Sequence, residues 1–109
     1  MQPYFYNAEC IAVTDGDTVS VNIDVGFGFN TTQKLRFIGI DTPERNDKGY
    51  YEAAQFTKEK ILGKKILINS LKKDAFGRWL ANVYFKKDDQ YVCLNNELIE
   101  QGFAVEYKY

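Results

Sequence analysis

Two runs of alternating residues, "AECIAVT" at 8–14 and "TVSVNIDV" at 18–25, stand on either side of Asp15-Gly16-Asp17. Successive side chains of a strand point to opposite faces, so this alternation marks half-buried β-structure. Val19, Val21, Ile23 and Val25 form one apolar face. Asp-Gly between two such runs is a strong hairpin signal. The start of the chain is therefore committed to antiparallel sheet.

The rest of the sequence must complete that sheet. "GFGFNTT" (26–32) reads as a flexible loop and "QKLRFIGI" (33–40) as a third strand. The turn-rich residues 44–50 precede a helix predicted from about Tyr51 to Leu62. Ala53, Ala54, Phe56 and Ile61 form its inward stripe, and Gly63 ends it. "KKILINSL" (64–71) and "WLANVYF" (79–85) read as strands four and five, joined by the turn "KKDAFGR". After a turn at Lys87–Asp89, "LNNELIEQ" (94–101) reads as a short helix, with Asn95 or Asn96 as its cap and Gly102 as its end. Three strands, a helix, two strands and a helix suit a mainly β, α+β architecture. The leading candidate is a five-stranded Greek-key barrel of the oligonucleotide/oligosaccharide-binding kind (OB-fold), with two or three helices. With 109 residues and no linker or internal repeat, a single domain over 1–109 is expected, and a monomer.

Composition narrows the chemistry. Aromatics reach 16%, which favours strands and supplies a core. No apolar run approaches the roughly 20 residues of a membrane span. The start "MQPYFYNAEC" lacks the basic and apolar regions of a secretory leader, so the expectation is a protein working inside the cell or one whose leader has been removed. There is no histidine, which excludes His-based zinc sites and His-dependent triads. Cys10 and Cys93 are too few for structural zinc; two buried free thiols are expected, with one disulfide as the alternative. Chemistry must then rest on carboxylates, Arg, Lys, Tyr or a hard metal ion. A net charge of −1 and a pI of about 5.4 argue mildly against gripping nucleic acid by bulk charge. Lys58, Lys60, Lys64, Lys65, Lys72, Lys73 and Arg78 nevertheless crowd one stretch, open to reading as a solvated face or as a polyanion contact.

Charge concentrates in four packets at predicted element ends: Asp15–Thr18, Arg36, Asp41–Glu44 and Gly77–Arg78. A turn after "FIGI" needs Asp41 and Pro43 for its geometry, but not Glu44 and Arg45. Carboxylates and carbonyls are hard oxygen ligands suited to Ca²⁺ or Mg²⁺. Arg offers a planar fork that fits two phosphate oxygens. A Glu beside a metal can orient or deprotonate water. Together these groups can hydrolyse a phosphodiester without histidine. Each also has a duller reading: Asp15 and Asp17 as turn formers, Asp41 as a strand end, Arg78 as a surface turn residue.

"DGDT", then Arg36 five residues before "DTPE", then "FGR" ahead of a strand, resembles the staphylococcal nuclease family in the same order and over nearly the whole chain. The resemblance implies Ca²⁺ held by Asp17, Asp41 and the Thr42 carbonyl. It implies that Glu44 activates or positions water and that Arg36 and Arg78 clamp the phosphate. The implied reaction is endo- and exonucleolytic cleavage of single-stranded or unwound DNA and RNA, leaving 3′-phosphates. Tyr107 and Tyr109 are similar to the family's two substrate-facing tyrosines, although their spacing from Gly102 is one residue short; they read equally as edge or tail residues. A Lys and a Tyr that precede Gly-Arg in the family are here Ala75 and Phe76. The best-known member is strongly basic, so a weaker, more salt-sensitive grip is expected here. The alternatives are a catalytically silent scaffold, which would be expected to have lost at least one site side chain, and a single-strand binding barrel, which needs none of them.

Overall fold

The computed structural model describes residues 4–108. Strands β1 (Tyr4–Asp15), β2 (Thr18–Gly26) and β3 (Phe29–Phe37) form an antiparallel meander, followed by the two-residue strand β4 (Ile40–Asp41). Helix α1 (Tyr50–Ile61) carries the chain across to β5 (Lys65–Lys73), which pairs with the free side of β1. Strand β6 (Trp79–Lys87) returns antiparallel to β5 and then meets β3 in parallel, through Leu35–Trp79, Arg36–Leu80 and Phe37–Ala81. That last pairing closes β1, β2, β3, β5 and β6 into the five-stranded barrel the sequence predicts. Strand β7 (Gln90–Cys93) extends β6 as a hairpin. Helix α2 (Leu94–Glu100) follows, and β8 (Val105–Glu106) pairs with β4.

Closure needs strongly curved strands, and bulges supply the bend. The register shifts between Cys10 and Ala12 and between Val13 and Asp15 in β1, and between Ser70 and Lys72 in β5. Inside lie Cys10, Val21, Leu35, Phe37, Ile68 and Val83, all fully buried. Helix α1 covers the barrel with Ala53, Ala54, Thr57 and Ile61, close to the predicted stripe; Phe56 is half-buried beside it. Two helices are present among the described residues. None is long and apolar enough to cross a membrane.

Several local readings are corrected. "GFGFNTT" is a tight turn at Gly26–Gly28 followed at once by β3. Its pairing with β2 hides in the sequence because the hairpin tip is open on both faces, with Phe27 fully exposed. The same twist carries Val25 out of the core, where it is 45% exposed. "FIGI" is broken: Ile38 and Gly39 form a turn, with Gly39 at φ 81°, a conformation that costs glycine least. Strand β7 escaped notice because it has only four residues, turned out of β6 by Asp88 and Asp89, both at positive φ. Neither cysteine is in a disulfide; Cys10 is buried, but Cys93, at the end of β7 that leads into the next helix, is only half-buried. Burial pushes the Cys10 thiol up to about 11, so it stays protonated at neutral pH.

Asn95 does not cap α2. It is buried one residue inside the helix and joins three segments instead. Its amide donates to the Ile38 carbonyl at 3.0 Å and the Ala81 carbonyl at 3.2 Å, and its oxygen accepts from Val83 N at 3.0 Å. The bonds tie α2 to the end of the barrel beside the β3–β6 junction. Asn95→Ala strands these groups in an apolar setting and is expected to lower the unfolding free energy by about 1–3 kcal/mol in a urea titration. A loss under about 0.5 kcal/mol would mean that water satisfies them instead.

Candidate active site

The four charged packets meet at one end of the barrel because three pairings put them there. Register Thr18–Arg36 in the β2–β3 ladder brings Asp17 beside the end of β3, and the Asp17 carbonyl accepts from Phe37 N at 2.9 Å. The parallel β3–β6 seam sets Arg36 opposite Leu80, two residues past Arg78. Pairing of β4 with β8 fixes Asp41 just beyond the turn.

Arg36 is 9% exposed and Asp17 5%, so both charges are held largely out of water. The guanidinium bridges two carboxylates. Nη1 contacts Asp17 Oδ2 closely, and Nη2 donates to Asp41 Oδ1 at 3.2 Å. Asp17 is further held by Thr42 N, which donates to Oδ2 at 3.0 Å, and by the Thr18 hydroxyl, which donates to Oδ1 at 3.1 Å. Such desolvation is tolerable only when the charges are paired and their remaining lone pairs hydrogen-bonded, as here.

The hairpin that carries Asp17 is also tied to α1. The buried Thr57 hydroxyl donates to the Gly16 carbonyl at 2.6 Å. The Tyr50 hydroxyl lies 2.9 Å from both the Thr14 carbonyl and Asp15 Oδ1. Gly16 permits this approach: a Cβ there would lie 2.9 Å from Ala53 Cβ and 3.1 Å from Thr42 Cγ2.

Asp17, Arg36, Asp41, Thr42, Glu44 and Arg78 all line one open pocket of about 460 Å³, with Thr14, Asp15, Thr18, Pro43 and Arg45. Arg78 approaches from the β5–β6 turn, where Asp74 holds it: Nε donates to Asp74 Oδ2 at 2.8 Å and the Arg78 N–H to Oδ1 at 2.9 Å. The Phe76 ring lies against the guanidinium, 5.5 Å from centroid to Cζ. Tyr107 is not in this pocket. It is 45% exposed, and its N–H donates to the Gly39 carbonyl at 2.9 Å. Tyr109 lies outside the described residues.

The family model described as "Staphylococcal nuclease homologue" matches residues 34–109. The chain belongs to the staphylococcal nuclease family. Among similar proteins is an uncharacterized protein of Methanocaldococcus jannaschii, 29% identical over an alignment covering 94% of this chain and 59% of that protein. A protein named thermonuclease, from Staphylococcus hyicus, is 34% identical, covering 86% of this chain and 55% of its own length. An uncharacterized endonuclease of Haemophilus influenzae is 29% identical, covering 90% and 51%. The chain thus spans somewhat over half the length of these curated relatives.

The donor set can be tested against the Ca²⁺ that likeness to the staphylococcal nuclease family implies. Two carboxylates already converge on a single positive centre, the Arg36 guanidinium. Thr42 Oγ1 is buried beside them and has no hydrogen-bond partner among the described residues. No group of three His, Cys, Asp or Glu side chains is placed to hold a metal among those residues. The chain therefore offers two carboxylates and neutral oxygens, a set that fits a hard cation whose shell is completed by water.

Sequence reasoning missed Tyr50, Asp74 and the Thr18 hydroxyl as supports of the site. Asp74 had a signal: Asp at the first and Gly at the fourth position of a turn, directly before Arg78. Burial pushes the Asp74 carboxyl up, but the N–H groups of Arg78 and Phe76 and the Arg78 guanidinium outweigh this, leaving it below its ordinary 3.8. A carboxyl lowered by folding stabilises the fold fully above its ordinary value and loses that contribution as pH falls through the lower folded value. Asp74→Asn should therefore be less stable than the parent at about pH 6, with the gap narrowing at about pH 3. Urea titrations at both values test this; a gap that widens in acid contradicts it.

Proposed function

We propose that this chain is a Ca²⁺-dependent nuclease that hydrolyses single-stranded or unwound DNA and RNA and leaves 3′-phosphates. At the level of its family the activity is that of a nuclease acting on nucleic acid. The observation that carries the finer reading is Arg36 seated between Asp17 and Asp41, in the pocket that also holds Glu44 and Arg78.

Asp17, Asp41 and the Thr42 carbonyl would hold the ion. Bound there, Ca²⁺ supplies positive charge beside the reacting phosphate and makes nearby water more acidic. Glu44, exposed at the pocket rim, takes a proton from the attacking water. The water oxygen bonds to phosphorus in line with the departing 5′ oxygen. Arg36 and Arg78 donate to the non-bridging oxygens and stabilise the charge that builds on five-coordinate phosphorus. The bond from phosphorus to the 5′ oxygen then breaks. That oxygen is protonated from solvent, which the open pocket admits, and the phosphate stays on the 3′ side.

Incubation with single-stranded DNA in Ca²⁺, in Mg²⁺ and in chelator tests the reading. Cleavage only with Ca²⁺ is expected; binding without cleavage under every metal would favour a silent scaffold. Arg36→Ala, Glu44→Ala and Arg78→Ala should each lower turnover by roughly 10²–10³. Because removing one partner of a buried ion pair costs about 3–5 kcal/mol, Arg36→Lys serves as the folded counterpart of Arg36→Ala. Near-full activity in any of these variants removes that residue from the mechanism. Asp17→Ala and Asp41→Ala should shift the Ca²⁺ titration upward; an unmoved titration rejects them as ligands.

A further inference from the structure

The chain contains three arginines, Arg36, Arg45 and Arg78, and all three line the same pocket. None of its lysines does. Lys suits a solvated surface, whereas the fork of Arg suits two oxygens of one phosphate. Such segregation is not what solubility alone would produce.

The three differ in what opposes their charge. Arg36 faces two carboxylates and Arg78 faces one. Arg45 has no carboxylate within ion-pair distance among the described residues. The Tyr50 hydroxyl pushes the Arg45 guanidinium above its ordinary value, and itself lies 2.9 Å from the Asp15 carboxylate and the Thr14 carbonyl. Tyr50 is buried, and its two contacts fix it against the β1–β2 hairpin. The loop beneath Arg45 is closed by two backbone bonds, Asp47 N to the Glu44 carbonyl at 2.9 Å and Tyr50 N to the Asp47 carbonyl at 3.3 Å. An exposed guanidinium outside any ion pair among the described residues thus lines the pocket, one residue past Glu44.

At about 460 Å³ the pocket has room for a ligand larger than one phosphate. We infer that Arg45 grips the phosphate next to the scissile one, so that the preferred substrate is a strand carrying consecutive phosphodiesters. The inference rests on the nuclease reading and extends the same site by one subsite. Four carboxylates, Asp15, Asp17, Asp41 and Glu44, line the same pocket, so the grip comes from Arg45 standing outside their ion pairs rather than from net positive charge.

Binding of a fluorescent single-stranded oligonucleotide, read by anisotropy in a Glu44→Gln background that leaves the strand uncut, tests it. Arg45→Ala should weaken binding and lower the slope of log affinity against log salt by about one. Arg45→Lys should restore the slope without the full affinity. A series of strands each carrying one neutral methylphosphonate locates the contact. One position beside the scissile bond should weaken the parent but not Arg45→Ala, a coupling that loss of loop structure would not produce. Parent-like affinity and slope in Arg45→Ala, or additive losses at every position, overturn the inference. A parent protein that neither binds nor cuts any strand overturns the nuclease reading and this inference with it. A parent that cuts, with Arg45→Ala binding equally well, removes only Arg45.

Discussion

A buried guanidinium between two carboxylates is the constraint around which this molecule is arranged. Arg36 sits at the end of a core strand with little access to water, where an unpaired charge would be costly. Asp17 and Asp41 make its position tolerable, and each arrives from a different segment. Asp17 can arrive only if the β1–β2 hairpin folds tightly onto α1, which the bare Cα of Gly16 allows and Thr57 secures. Asp41 can arrive only if the chain turns at Gly39 and β8 pins the short strand behind it. The groups that would handle a phosphate are therefore also those that hold this end of the barrel together.

Much of this was legible in the sequence, for physical reasons. The first hairpin showed because one face of β2 is buried and the other wet, so its side chains alternate. Helix α1 showed because its inward stripe is narrow and its end is marked by Gly63. Arg36 stood out because an arginine in an apolar strand demands partners. Other features left no local trace. The first half of β3 is open on both faces, so pairing rather than burial makes it a strand. Asn95 looked like a helix cap because its true partners, Ile38, Ala81 and Val83, are remote in sequence. Tyr50 read as a helix residue, and nothing nearby in the chain indicates that its hydroxyl reaches Thr14 and Asp15.

Net charge proved a poor guide to the pocket. A value of −1 says nothing of arrangement: three arginines and four carboxylates, Asp15, Asp17, Asp41 and Glu44, converge within one cavity, where pairing leaves some charges opposed and others outside any ion pair among the described residues. Potential at a concave, partly dry site depends on the few nearest groups far more than on the total. Phe76, standing where the family carries a polar ring, follows the same logic: it lies on the face of Arg78 and shields one side of that cation.

The parallel seam between β3 and β6 is only three residue pairs long, yet it joins positions more than forty apart in the chain. Contacts that distant close late, since a long loop must be ordered before they form. During synthesis the first arginine would wait, with its acids nearby, until the segment around residues 79–81 had left the ribosome. A half-made chain would thus lack the second guanidinium at this end of the barrel, and the pocket would take shape only with the last strand of the closure.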